Sequence, residues 1–183
     1  KNNYSNTNFI KKCKARMRLG GIDGCKGGWI LVKYCNENYE LELYENFSSL
    51  LSENRQLDRV LIDIPIGLTS TDFKRTIESS MRSELENRHP TVFNSPCRLA
   101  VYEESDKRAK EINIRLENKS LSNQSLAIRR KIREVDEYLC KVENGNDRTE
   151  IVESHPELCF KYLNKGIVQS NKTRTVGIKE RLD

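Results

Sequence analysis

Histidine is nearly absent: the 183 residues hold two, His89 and His155, each directly before a proline. A histidine-rich metal centre and a Cys–His nucleophile pair are both disfavoured by that scarcity. The six cysteines (Cys13, Cys25, Cys35, Cys97, Cys140 and Cys159) include no CxxC pair. Neither a zinc ribbon nor a dithiol redox site is indicated, and most of them are expected to be reduced, buried small residues. No apolar run approaches the roughly 20 residues of a membrane-spanning helix, and the first residues carry no apolar stretch of the secretory type, so the expected location is cytoplasmic. Acidic residues are missing from Lys1 to Arg16, which carries five basic ones and no periodicity. Residues 1–16 are therefore expected to form a flexible N-terminal extension, not native if Met17 is the natural start, with a basic arm that touches nucleic acid as the alternative.

What is present suits one α/β domain. Domains commonly hold about 100 to 200 residues, and a chain of this size buries a sizeable core. Hydrophobic residues make up 36% and charged residues 32%, with a net charge of +5. Strong apolar runs at Trp29 to Val32 and Val60 to Ile64 argue against disorder despite that charged surface.

The stretch LGGIDGCKGGWILV, Leu19 to Val32, reads as an apolar strand ending in Asp23, a glycine-rich turn and a second strand. Strand interiors disfavour aspartate, and a carboxylate at such depth needs a partner charge, hydrogen bonds or a metal ion. A turn aspartate accepting backbone N–H bonds is the competing reading. Lys26, the lysine of the turn, is a candidate contact for a substrate phosphate. Tyr39 to Tyr44 adds a third strand after the polar connection Asn36-Glu37-Asn38, and Phe47 to Leu57 has helical spacing. Val60-Leu61-Ile62-Asp63-Ile64 is then a continuous apolar strand broken by one carboxylate, with the composition of a central strand covered on both faces. It is expected beside the first strand, reached by a helical crossover.

Thr69 to Asn118 reads as a mostly helical insertion, and Ser122 to Glu143 as one helix with the stripe Ile128, Ile132, Val135, Leu139 and Val142. Between Lys107 and Arg133 lie nine basic and two acidic residues. That excess of one sign fits a surface that attracts phosphate or nucleic acid, against the plainer reading of a solvated helix face. Glu150 to Glu153 is a last strand, Pro156 to Leu163 a helix opening on proline, and Asn171 to Asp183 the start of another. Asp23, Asp63 and Glu153 thus each follow an apolar run and precede a turn. A sheet that gathers three carboxylates at one end needs a cation to neutralise them. Hard oxygens suit Mg²⁺ or Mn²⁺, which in phosphodiester cleavage stabilise the attacking and leaving oxygens. The element order is that of a ribonuclease H-like mixed sheet with a helical insertion between the Asp63 and Glu153 strands.

The blocks GIDGCKGGW, LIDIPIGL, RSELENRHPTVFNSPCR, KIREVD and ESHPELCF, in this order between Gly20 and about Arg174, resemble the signature of the predicted ribonuclease-H-like nucleases of domain-of-unknown-function family 429. The resemblance implies a metal-dependent nuclease in residues 17–183, with Asp23, Asp63 and Glu153 as catalytic metal ligands. It also implies that Arg82, Arg88, Arg98 and Lys131 belong to the same polar cleft, where each has a structural ion pair as its alternative. A further acid on a late helix is implied as well, and that helix falls beyond Asp183. Two other classes compete: an actin-like ATP-binding phosphotransferase, whose strand, aspartate and glycine-rich turn would hold phosphates, and a non-catalytic binding protein whose carboxylates are structural.

Overall fold

The computed structural model describes residues 17–142 and 149–182. The expected N-terminal extension and the late acidic helix lie outside these. Strands β1 (Leu19–Cys25), β2 (Gly28–Cys35) and β3 (Asn38–Tyr44) form an antiparallel meander. Lys26 and Gly27 make the first turn, closed by the pair Cys25 and Gly28. Gly28 has φ 148°, and a Cβ there would lie 2.0 Å from the Tyr44 carbonyl oxygen, so only glycine fits. Asn36 and Glu37 make the second turn with φ of 51° and 69°, the positive pair that matches the twist of a two-residue hairpin.

Helix α1 (Phe47–Glu53) starts where the Asn46 side chain accepts the Ser49 N–H, and it lays Phe47, Leu50 and Leu51 on the sheet. It ends short of the expected Leu57. The Asn54 side-chain amide donates to the Leu50 carbonyl at 2.9 Å, taking the acceptor that a continuing helix would give to the Asn54 N–H. Strand β4 (Arg59–Ile62) then pairs parallel to β1, and β5 (Glu150–Glu153) pairs parallel to β4. The sheet is five-stranded and mixed, in the order β3-β2-β1-β4-β5. β4 stops at Ile62 rather than running on to Ile64, so Asp63 lies one residue past the strand, and Pro65 follows with no N–H to donate to a ladder.

One face of this sheet makes the core. Ile22, Leu31, Val60 and Ile62 point into it together with Trp29, and α1 and the Ile132–Val135 stripe of α6 (Arg129–Val142) cover them. The other face is more open than the apolar run at Val60 to Ile64 suggests: Leu61 is 41% exposed, and Leu41 and Leu43 are 62% and 69% exposed. The expectation of a strand covered on both faces is corrected for the described residues. Alternation explains it, because the run puts Val60 and Ile62 on the helix side and Leu61 on the other.

The insertion contains α2 (Ile77–Leu85), a 3₁₀ turn Glu86–Thr91, α3 (Arg98–Tyr102), α4 (Asp106–Glu117) and α5 (Asn123–Ala127) before α6. The single helix expected over Ser122 to Glu143 is thus two, parted at Ile128. Beside the break, Arg129 is nearly buried and donates to the Ala100 carbonyl at 3.0 Å and to Asp106 at 2.6 Å, pinning the start of α6 to α3 and α4. Helices α7 (Pro156–Leu163) and α8 (Thr175–Leu182) follow β5. Among the described residues no helix is long and apolar enough to cross a membrane.

Candidate metal centre at the carboxyl ends of the parallel strands

Ile22 of β1 lies across from Ile62 of β4, and the residues that follow them are Asp23 and Asp63. Ile22 and Ile62 are buried in the core, and the two aspartates that follow them are exposed at one end of two neighbouring strands. Such strand ends, where parallel strands deliver their side chains into a crevice, are common ligand sites in α/β sheets. Asp23 accepts a hydrogen bond from the Gly24 N–H at 2.7 Å, as a turn aspartate does. Asp63 is exposed to solvent, yet protein packed around it weakens its solvation, and this desolvation pushes its carboxyl above the usual carboxylate range. The nearby charges of Asp23 and Glu153 push the same way, while His155 and Lys172 oppose them.

Glu153 is placed differently. β5 pairs it with Ile62, one position short of Asp63, and it lines one small cavity with Asp63, Arg75 and His155. Both its oxygens are taken: Oε1 accepts from Arg75 at 2.5 Å, and Oε2 accepts from Arg75 and from the Ile66 N–H, each at 2.8 Å. The Arg75 side chain is 6% exposed and also donates to Glu78 at 2.5 Å. Arg75, in the loop before α2, and Glu78, in its first turn, carry no motif signal.

The basic candidates separate into two groups. Arg82 donates to the Val92 carbonyl and to Asn94, tying α2 to the loop before α3. Arg88 lies 3.7 Å from Glu157, joining the 3₁₀ turn to α7, and Arg98 pairs with Asp136 at 2.9 Å, joining α3 to α6. These three guanidiniums have partners within the fold. Lys131 stands instead at the turn end of the first hairpin. Its ammonium sits 4.5 Å over the Trp29 ring and 3.8 Å from Glu134, and its alkyl chain passes beside Gly24, the neighbour of Asp23. Glu134, which also accepts from the Trp29 indole N–H at 2.7 Å and the Phe47 N–H at 3.1 Å, locks that corner. Lys26 is exposed on the turn itself.

Among the described residues, no three His, Cys, Asp or Glu side chains converge as a metal-holding group. Mg²⁺, however, keeps several of its waters and is commonly held by only one or two protein carboxylates. Asp23 and Asp63 fit that donor set. Glu153 is already committed to Arg75 and the Ile66 N–H through three of its four lone pairs.

A protein-family model described as "Protein of unknown function (DUF429)" matches residues 21–183. The chain belongs to the DUF429 family. No curated protein and no solved structure matches it. The DUF429 match takes in β1 from Gly21 onward and every later element described, so the Asp23, Asp63 and Glu153 strand ends all fall within the family's own region.

Proposed function

We propose that this DUF429 chain is a metal-dependent phosphodiesterase acting on nucleic acid, with Asp23 and Asp63 as the protein ligands of Mg²⁺ or Mn²⁺. The observation that carries the reading is the pair of aspartates following Ile22 and Ile62 on adjacent parallel strands, with Asp63 destabilised as an anion by burial and by Asp23. Like charges brought together in a partly desolvated place are a cost to folding that a bound cation removes. When bound there, the ion would polarise a phosphoryl oxygen and lower the pKa of a coordinated water. Lys131 and Lys26, at the same end of the first hairpin, supply positive charge for the phosphate backbone.

The +5 chain carries further cations for that task. Lys107, Arg108, Arg115 and Lys119 are exposed and make no ion pair among the described residues, whereas Arg129 and Arg133 are spent on Asp106 and Glu104. Contacts of this kind hold phosphates without reading sequence, and each one made releases condensed counterions. Affinity for single-stranded or duplex nucleic acid is therefore expected to fall about 10-fold or more between 50 and 200 mM salt if three or more phosphates are neutralised. Fluorescence anisotropy measures it, and a flat salt response removes this surface from the account.

Cleavage of single-stranded, duplex, hybrid and branched substrates with Mg²⁺, with Mn²⁺ and with chelator tests the activity. Metal-dependent cleavage lost in both Asp23→Asn and Asp63→Asn is the expected result. ATP turnover without nucleic-acid cleavage would replace it with the phosphotransferase reading.

A further inference from the structure

We propose that Glu153 is a positioning residue acting on Asp63 through Arg75, and that it does not ligate the metal. The inference rests on the two-aspartate reading above and departs from the role that the family resemblance implies for Glu153. Its basis is a clamp on the loop that leaves Asp63. The Ile66 peptide is gripped on both sides: its N–H donates to Glu153 at 2.8 Å, and its carbonyl accepts from the Arg75 guanidinium. Ile66 lies three residues past Asp63, and the intervening Ile64 and Pro65 are both buried, which leaves little slack between the clamp and the carboxylate. Arg75 is itself fixed from behind, by Glu78 and by its own N–H on the Thr69 hydroxyl at 3.1 Å.

One feature keeps Glu153 from being a third ligand, although it lines one small cavity with Asp63. Three of the four lone pairs of its carboxylate accept hydrogen bonds, two on Oε2 and one on Oε1, and turning it toward a shared ion would strand a guanidinium that is 6% exposed. Partners that orient a ligand commonly change metal affinity by about 10- to 100-fold when removed, without adding or removing a coordination bond.

Counting the waters on bound Mn²⁺, by magnetic-resonance broadening in ¹⁷O-labelled water, separates the two roles. Loss of a true ligand opens a coordination position to water. Asp63→Asn is expected to raise the count by one, whereas Glu153→Gln is expected to leave the count unchanged and weaken Mn²⁺ binding about 10-fold. Arg75→Lys serves as the second variant, since it keeps every carboxylate and loses only the planar, bidentate grip. It should reproduce the Glu153→Gln signature. A water count that rises in Glu153→Gln overturns the proposal, as does Arg75→Lys with unchanged or tighter Mn²⁺ binding. Wild-type protein that binds no Mn²⁺ fails the two-aspartate reading itself, an outcome distinct from both.

Discussion

Arg75→Met is expected to destabilise the folded protein by about 3 to 5 kcal/mol, the range observed when one partner of a buried ionic cluster is removed. The Arg75 side chain is 6% exposed and faces two carboxylates, Glu78 at 11% and Glu153 at 17%. Methionine fills much of the same space, so the loss is not one of packing. It comes from two carboxylates left in a poorly solvated place with no cation. The pair Arg59 and Glu150 provides the contrast within the same sheet. It spans β4 and β5 at 2.7 Å with both side chains about half exposed, and cutting it is expected to cost no more than about 1 kcal/mol. Urea unfolding of both variants measures the difference. Equal costs would mean that the Arg75 cluster is hydrated enough to behave as a surface pair.

The same cluster sets part of the acid response. Burial alone would raise the Glu78 carboxyl, but hydrogen bonds from Ser95 and Arg75 outweigh it and hold the group below its ordinary value. A carboxylate depressed in the folded state contributes stability that is present above its unfolded pKa and is lost as pH falls through the folded one. Arg75→Met should therefore lose part of its penalty in acid, where Glu78 is protonated.

The sheet was legible because its signals are local. Apolar runs on either side of a glycine-rich turn mark β1 and β2, the polar connection at Asn36 to Asn38 marks the turn between β2 and β3, and Glu150 to Glu153 has the bounds of β5. The adjacency of the Asp23 and Asp63 strands followed from crossover logic and is present as parallel pairing. The commitment of Glu153 to Arg75 was not legible. It depends on a strand register between residues 91 apart and on a contact across 78 residues. Arg75 was invisible for a related reason: its partners Ile66, Glu78 and Glu153 come from three separate stretches, and a lone arginine between polar residues has no pattern of its own. Sequence shows charge without partner, so it does not reveal that Arg129 and Arg133 of the basic stretch hold α6 to the insertion. The break at Ile128 escaped notice because the apolar stripe continues through it.

Asp63→Asn separates a metal site from a structural aspartate by the sign of its effect. In the metal-free protein the wild-type carboxyl is raised by burial first and by the charges of Asp23 and Glu153 after it, against the attraction of His155 and Lys172. A carboxyl raised in the folded state binds its proton more tightly there than in the unfolded chain. Between the unfolded and folded values the native state holds more protons, so stability falls as pH rises through that window and stays lower above it. Asparagine has no such charge. With chelator at pH 7, the variant is expected to be as stable as wild type or more so, and the difference should shrink on acidification as wild-type Asp63 takes up its proton. With excess Mn²⁺ the order should reverse, because an ion that binds only the folded state stabilises it by about 2.7 kcal/mol at 100 times its dissociation constant, and the variant has lost part of that affinity. Thermal melts of both proteins, with chelator and with Mn²⁺ and at pH 5 and 7, read all three effects. A variant destabilised equally in every condition would make Asp63 a structural acceptor of hydrogen bonds and would take the two-aspartate metal site with it.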